Sequence, residues 1–89
     1  MEKTTMFNGL KKIISDQMIM DNDVTLGNLS EKTKLKSDLG IDSLDLINIV
    51  NDVEKHFEIE VGFESIEELH TIGNCLSMIE QKIYQRMVA

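Results

Sequence analysis

Proline and tryptophan are absent from this chain, cysteine occurs once, and the aromatic side chains amount to three Phe and one Tyr. Each shortage removes a class of structure. Without proline no helix is forced to break at a set point, and no low-complexity tract or internal repeat divides the sequence. A lone Cys75 has no partner for an internal disulfide. With so few aromatic rings the core must be built from Ile, Leu, Val and Met, which makes it soft and adaptable. Basic residues are also scarce: nine Lys and Arg stand against sixteen Asp and Glu, for a net charge of -7. Such a field repels phosphate backbones and argues against a nucleic-acid partner, leaving basic protein surfaces as its complement. No apolar run reaches membrane-spanning length and no cleavable signal pattern is visible, so a cytoplasmic protein without stable membrane insertion is expected.

What remains is 89 residues, 42% of them apolar. That is enough for one compact domain over residues 1–89, a monomer by expectation, with no room for a deep enzyme pocket. The acidity is local. From Asp38 to Glu80 there are eleven Asp or Glu and one Lys, whereas Met1 to Ser37 holds six Lys against five acids.

Hydrophobic periodicity divides the chain into helices. Met6, Leu10, Ile13, Ile14 and Met18 follow helical spacing, opposite Lys11, Lys12 and Asp16, with Thr4 and Thr5 as candidate caps. The pair Asn8-Gly9 leaves the start of this helix open, because glycine is a poor helix former. From about Asp21 to Ile41 the period is lost in a long connection carrying Gly27, Gly40 and several Asn, Ser, Thr and Asp. Loops of this length in small domains are usually functional; Val24, Leu26, Leu29, Leu35 and Leu39 are expected to tack it to the core. A second helix is predicted from Asp42 or Ser43 to about Phe57, with Asp42 as cap and Asp45 placing negative charge in the first turn. Leu46, Ile49, Val50, Val53 and Phe57 fall within roughly a 100° arc and form its core face. Leu44 and Ile47 project from nearly the opposite side. A short third helix is expected over Glu64 to Leu69, and a last one capped by Thr71 with Ile72, Cys75, Leu76, Ile79 and Ile83 inward. The alternation around Ile59 and Val61 lacks a second strand to pair with. The expectation is an all-α four-helix bundle with a long loop between helices 1 and 2 and a short third helix.

The chemically informative segment is Asp38-Leu39-Gly40-Ile41-Asp42-Ser43-Leu44-Asp45, which closes the long loop and opens the second helix. It presents one hydroxyl at a helix N-terminus, where the dipole and free N–H groups stabilise a phosphate-type anion. Leu35 to Asp45 resembles the attachment segment of the acyl carrier protein family. Ile13-Ile14-Ser15-Asp16-Gln17-Met18 is similar to that family's first helix, Val53-Glu54-Lys55-His56-Phe57 to the end of its second, and Thr71-Ile72-Gly73 to the start of its last.

The resemblance implies that Ser43, flanked by Asp42 and Leu44, takes a 4′-phosphopantetheine group from coenzyme A. Ser43 is then a substrate of a Mg²⁺-dependent phosphopantetheinyl transferase and not an activated nucleophile. It implies a carrier and not an enzyme, holding acyl groups as thioesters and delivering them in fatty-acid or related polyketide or specialised lipid biosynthesis. Its partners would be acyl-processing enzymes such as ketosynthases, acyltransferases or acyl-activating ligases. On the resemblance, Leu44 and Ile47 dock into apolar hollows on these partners, and Asp38, Asp42, Asp45 and Glu54 form the acidic surround. The bundle would shelter the acyl chain between its second and third helices. Asn48 and Lys55 stand where the family frequently has acids, and Gly62 where it frequently has Pro, which leaves partner choice open.

Other features have blander readings. A Ser before a helix is commonly a plain cap, exposed Leu and Ile are normal on any surface, and an acidic run often only solubilises. Cys75 lies on an apolar face and is expected to pack. His56 and His70 are separated and receive neither a catalytic nor a metal role. Counting a calcium loop from Asp21 puts Leu26 where a glycine belongs and Lys32 where the bidentate Glu belongs, so that reading fails. Two alternatives stay open: a peptidyl or aminoacyl carrier, and an unmodified helical adaptor for a basic partner.

Overall fold

A computed structural model describes residues 2–18 and 29–88. Among these, four helices follow one another: α1 (Lys3–Met18), α2 (Ser43–Phe57), α3 (Phe63–Ile66) and α4 (Ile72–Val88). The fold is all-α, as expected. α1 packs on α2 and on α4, and the short α3 leans on α2.

The core follows the sequence periods. Met6, Leu10, Ile13 and Ile14 of α1 are buried against Leu46, Ile49, Val50, Val53 and Phe57 of α2 and Ile72, Cys75, Leu76, Ile79 and Ile83 of α4. Burying side chains of this size stabilises the fold by roughly 1.5–3 kcal/mol each. No polar or charged residue is buried among those described. Gly9 has a packing reason to be glycine: a Cβ there would meet His56 Nε2 at 3.0 Å and the Phe57 ring at 3.1 Å. Its lack of a side chain lets α1 cross close to the end of α2.

Two boundaries differ from expectation. α1 begins at Lys3, so Thr4 and Thr5 lie inside its first turn and do not cap it; the Met6 N–H instead reaches back to the Glu2 carbonyl at 3.0 Å. The third helix is shorter than Glu64 to Leu69. It covers Phe63–Ile66, and the chain continues through tight turns in which Glu68 N–H bonds Ser65 O and Leu69 N–H bonds Ile66 O. The run around Ile59 and Val61 forms no strand.

The connection after α1 enters the described structure at Leu29; Val24, Leu26 and the Asp21-Asn22-Asp23 run lie outside the described residues. Of the anchors expected, Leu35 is buried while Leu29 and Leu39 are half-buried. The stronger anchor is backbone, which periodicity does not reveal. Lys34 and Thr71 form an isolated antiparallel bridge, with Leu35 N–H donating to His70 O at 2.9 Å and Ile72 N–H to Thr33 O at 3.0 Å. Gly73 N–H donates to Glu31 O at 2.8 Å, and a Cβ on Gly73 would stand 2.9 Å from that same oxygen. Lys3 of α1 pairs with Glu31 as well, and hydrogen bonding and charge from Glu31 raise the Lys3 pKa.

At the opposite end Arg86 of α4 donates from Nη1 to the carbonyls of Phe57 and Glu58, each at 2.8 Å. These carbonyls terminate α2, where a cation meets both unsatisfied acceptors and the negative end of the dipole. Glu58 itself adopts the left-handed cap conformation at φ 56°.

Candidate attachment site

The segment before α2 is a tight turn locked to the fold on both sides. Asp38 N–H bonds Lys34 O at 3.1 Å, Gly40 N–H bonds Lys36 O at 3.0 Å, and Ile41 N–H bonds Leu35 O at 2.9 Å. Gly40 sits at φ 69°, in the left-handed region that side chains disfavour. The reversal lets Ile41 bury and turns the next residues out to solvent.

Asp42 then caps α2 with extended backbone, its carboxylate accepting from Asp45 N–H at 2.8 Å. Such a cap contributes about 1 kcal/mol. Ser43 is the first residue of α2 and is exposed. The N–H groups of Ser43 and Leu44 have no intrahelical acceptor, so the positive helix end lies directly beside the Ser43 hydroxyl.

The remaining candidate residues divide by exposure and by what they already hold. Leu44 is 69% exposed, while Ile47 is half-buried one turn along. Ile47 lines a cleft of about 390 Å³ with Ser43, Leu46, Lys36, Ile66, Glu67, Leu69 and His70. The cleft opens between α2 and the α3 region, next to the serine. Asp38 accepts from Lys34 N–H at 2.8 Å, and Glu54 accepts from Val61 N–H at 3.0 Å. Thus Asp38, Asp42 and Glu54 each brace backbone with one carboxylate oxygen while carrying charge near the surface. Asp45 is half-buried in the first turn of α2.

Two residues near the site had no role in the sequence reading. Lys36 and His70 are far apart in the chain, yet both line the cleft that Ser43 lines. The bond between Leu35 N–H and His70 O brings them there, and no pattern of hydrophobic spacing could have signalled it. Among the described residues no hydrogen bond joins His70 to Ser43. Cys75 lies in the core, where desolvation pushes its thiol up to about 12. No group of three or more His, Cys, Asp or Glu comes together as a metal site among the described residues.

Residues 9–79 match the family model described as "Phosphopantetheine attachment site". The chain belongs to the acyl carrier protein family. It is 38% identical over 77 residues to an acyl carrier protein of Thermotoga maritima, an alignment covering 86% of this chain and 90% of the relative. An acyl carrier protein of Coprothermobacter proteolyticus is 28% identical over 86 residues, covering 97% of this chain and all of the relative. An acyl carrier protein homolog of Mycoplasmopsis pulmonis is 39% identical over 59 residues, 66% of this chain and 80% of the relative. The family consists of carriers and not of enzymes, and its members work with a transferase and with acyl-processing enzymes.

The residues present fit the family's prosthetic group, 4′-phosphopantetheine. The site offers an exposed primary hydroxyl, the free first-turn N–H groups of Ser43 and Leu44, and an adjoining half-apolar cleft. Among the described residues, no helix is long and apolar enough to cross a membrane.

Proposed function

We propose that this acyl carrier protein bears its phosphopantetheine arm on Ser43 and presents acyl thioesters to enzymes of fatty-acid or related polyketide or specialised lipid biosynthesis. The observation that carries the reading is the exposed Ser43 hydroxyl at the first residue of α2, inside the stretch that the family model spans. When attached, the arm supplies a terminal thiol that holds the acyl group as a thioester.

The chain's own residues perform three tasks. Gly40 and Asp42 fix the turn and the helix start, so the serine stands clear of the backbone with its hydroxyl open to an incoming enzyme. The first-turn N–H groups of α2 face the anion formed on Ser43. The cleft bounded by Ile47, Ile66 and Leu69 offers apolar shelter beside the attachment point, and the adaptable Ile, Leu, Val and Met core beneath it can widen at modest cost.

Partner recognition is assigned to the outer surface of α2 and its approach. Leu44, exposed beside Ser43, is the apolar anchor, with Ile47 at the cleft edge. Asp38, Asp42, Asp45 and Glu54 surround them with negative charge, which steers Arg- and Lys-bearing partners and speeds encounter. The partners are a phosphopantetheinyl transferase and enzymes such as ketosynthases, acyltransferases or acyl-activating ligases. The protein acts as a cytoplasmic monomer, with residues 1–89 as one carrier domain.

The test is loading. Incubated with coenzyme A, Mg²⁺ and a broad-specificity transferase, the wild-type chain gains one phosphopantetheine by intact mass, and Ser43→Ala stays folded and gains none. A wild type that stays unmodified while a control carrier is loaded would contradict the reading.

A further inference from the structure

Around Ser43 the charges are unevenly placed. Asp42 and Asp45 flank it along α2, and an anion on the serine is repelled from that side. Lys36 and His70 line the same cleft as Ser43, with Glu67 as the opposing acid; these three are the titratable groups among the residues that line it. Both Lys36 and His70 are exposed, and Lys36 makes no ion pair among the described residues. Its ammonium sits on a flexible four-carbon stem with three donors, and an imidazole presents at least one N–H donor. The bridge between Lys34 and Thr71 holds the two backbones together, so the two side chains share one rim.

We infer that Lys36 and His70 form a donor rim that draws the phosphodiester of an arm on Ser43 across the cleft, setting the arm over α3 instead of out along α2. The inference rests on attachment at Ser43. It makes Lys36 and His70 positioning residues: the lysine supplies charge, the histidine a directed donor, and the carboxylates of Asp42 and Asp45 repel from behind. An arm set this way starts over the apolar wall formed by Ile47, Ile66 and Leu69, which favours sheltering the cargo over exposing it.

The arm ends in a thiol, and the protein's one cysteine is buried with its thiol pushed up to about 12. A maleimide nitroxide therefore labels the loaded chain at the arm alone. Amide relaxation enhancement is then read across the protein by NMR. The wild type should show stronger enhancement at Ile66 to His70 than at Asn48 to Asp52 along α2. That preference should fall about two- to threefold in the double variant Lys36→Gln, His70→Gln, the population change expected on losing one near charge in water. In the unmutated chain it should fall similarly at about 1 M salt, where the screening length is about 3 Å. The salt arm keeps the test open if the variant loads or folds poorly. A loaded wild type whose pattern ignores both changes, or that favours no side, overturns the rim while leaving attachment intact. A wild type that gains no mass contradicts attachment, and the rim with it.

Discussion

Ser43 and Cys75 are the side chains that a search for nucleophiles would single out, and their surroundings give them opposite fates. The serine is exposed at the start of a helix; the thiol is 4% exposed among Leu and Ile, and desolvation raises it from 9.0 to about 12. Burial here favours the neutral thiol in the folded state. Above about pH 9 the unfolded chain loses that proton while the folded chain keeps it. By linkage, the stabilisation is fully present below about 9 and is lost as pH rises toward about 12. Denaturation midpoints measured from pH 8 to 11 should therefore decline, and Cys75→Val should flatten part of that decline. Equal slopes in the two proteins would contradict the buried-thiol account. At this scale the sequence was informative wherever a residue acts on its neighbours. Asp42 was readable as a cap because its target, Asp45 N–H, is three residues away. Glu54 was read only as surface charge, because the N–H it holds belongs to Val61, beyond the end of its helix.

Among the elements, α2 was the most legible. Its apolar period, its capping residue and its end at Phe57 all agree, and the five residues assigned to its inner face are all buried. The short α3 was less so, since four residues carry too little periodicity to mark an end. Thr4 and Thr5, inside the first turn of α1, looked like caps because cap chemistry alone cannot say whether helix has already begun. Docking of the loop on α4 was invisible, as was the closing of α2 by Arg86: both join segments remote in sequence through backbone carbonyls. The glycines make the loop docking testable. Gly73→Ala drives a methyl to 2.9 Å from the Glu31 carbonyl, a backbone atom that must shift, and should cost about 1–3 kcal/mol in urea unfolding. Gly62→Ala meets only the Glu64 carboxylate, the end of a flexible side chain, and should change stability by about 0.5 kcal/mol or less. Equal effects at the two positions would mean that the loop does not hold α4 as described.

Over the whole molecule, charge and apolar surface are sorted by function. The helices bury an aliphatic core with no polar residue in it among those described. The acidic stretch from Asp38 onward places a field around Ser43, the exposed serine that begins α2. The cleft and Leu44 supply apolar contact within that field. The proposed attachment at Ser43 rests on this arrangement, and one measurement addresses it most directly. Trypsin cuts after Lys36 and Lys55, releasing a peptide from Ser37 to Lys55 that contains two serines, Ser37 and Ser43. Fragmenting this peptide after loading with coenzyme A should place one phosphopantetheine on Ser43 and leave Ser37 unmodified. A group found on Ser37, or on any residue outside the peptide, would contradict the account.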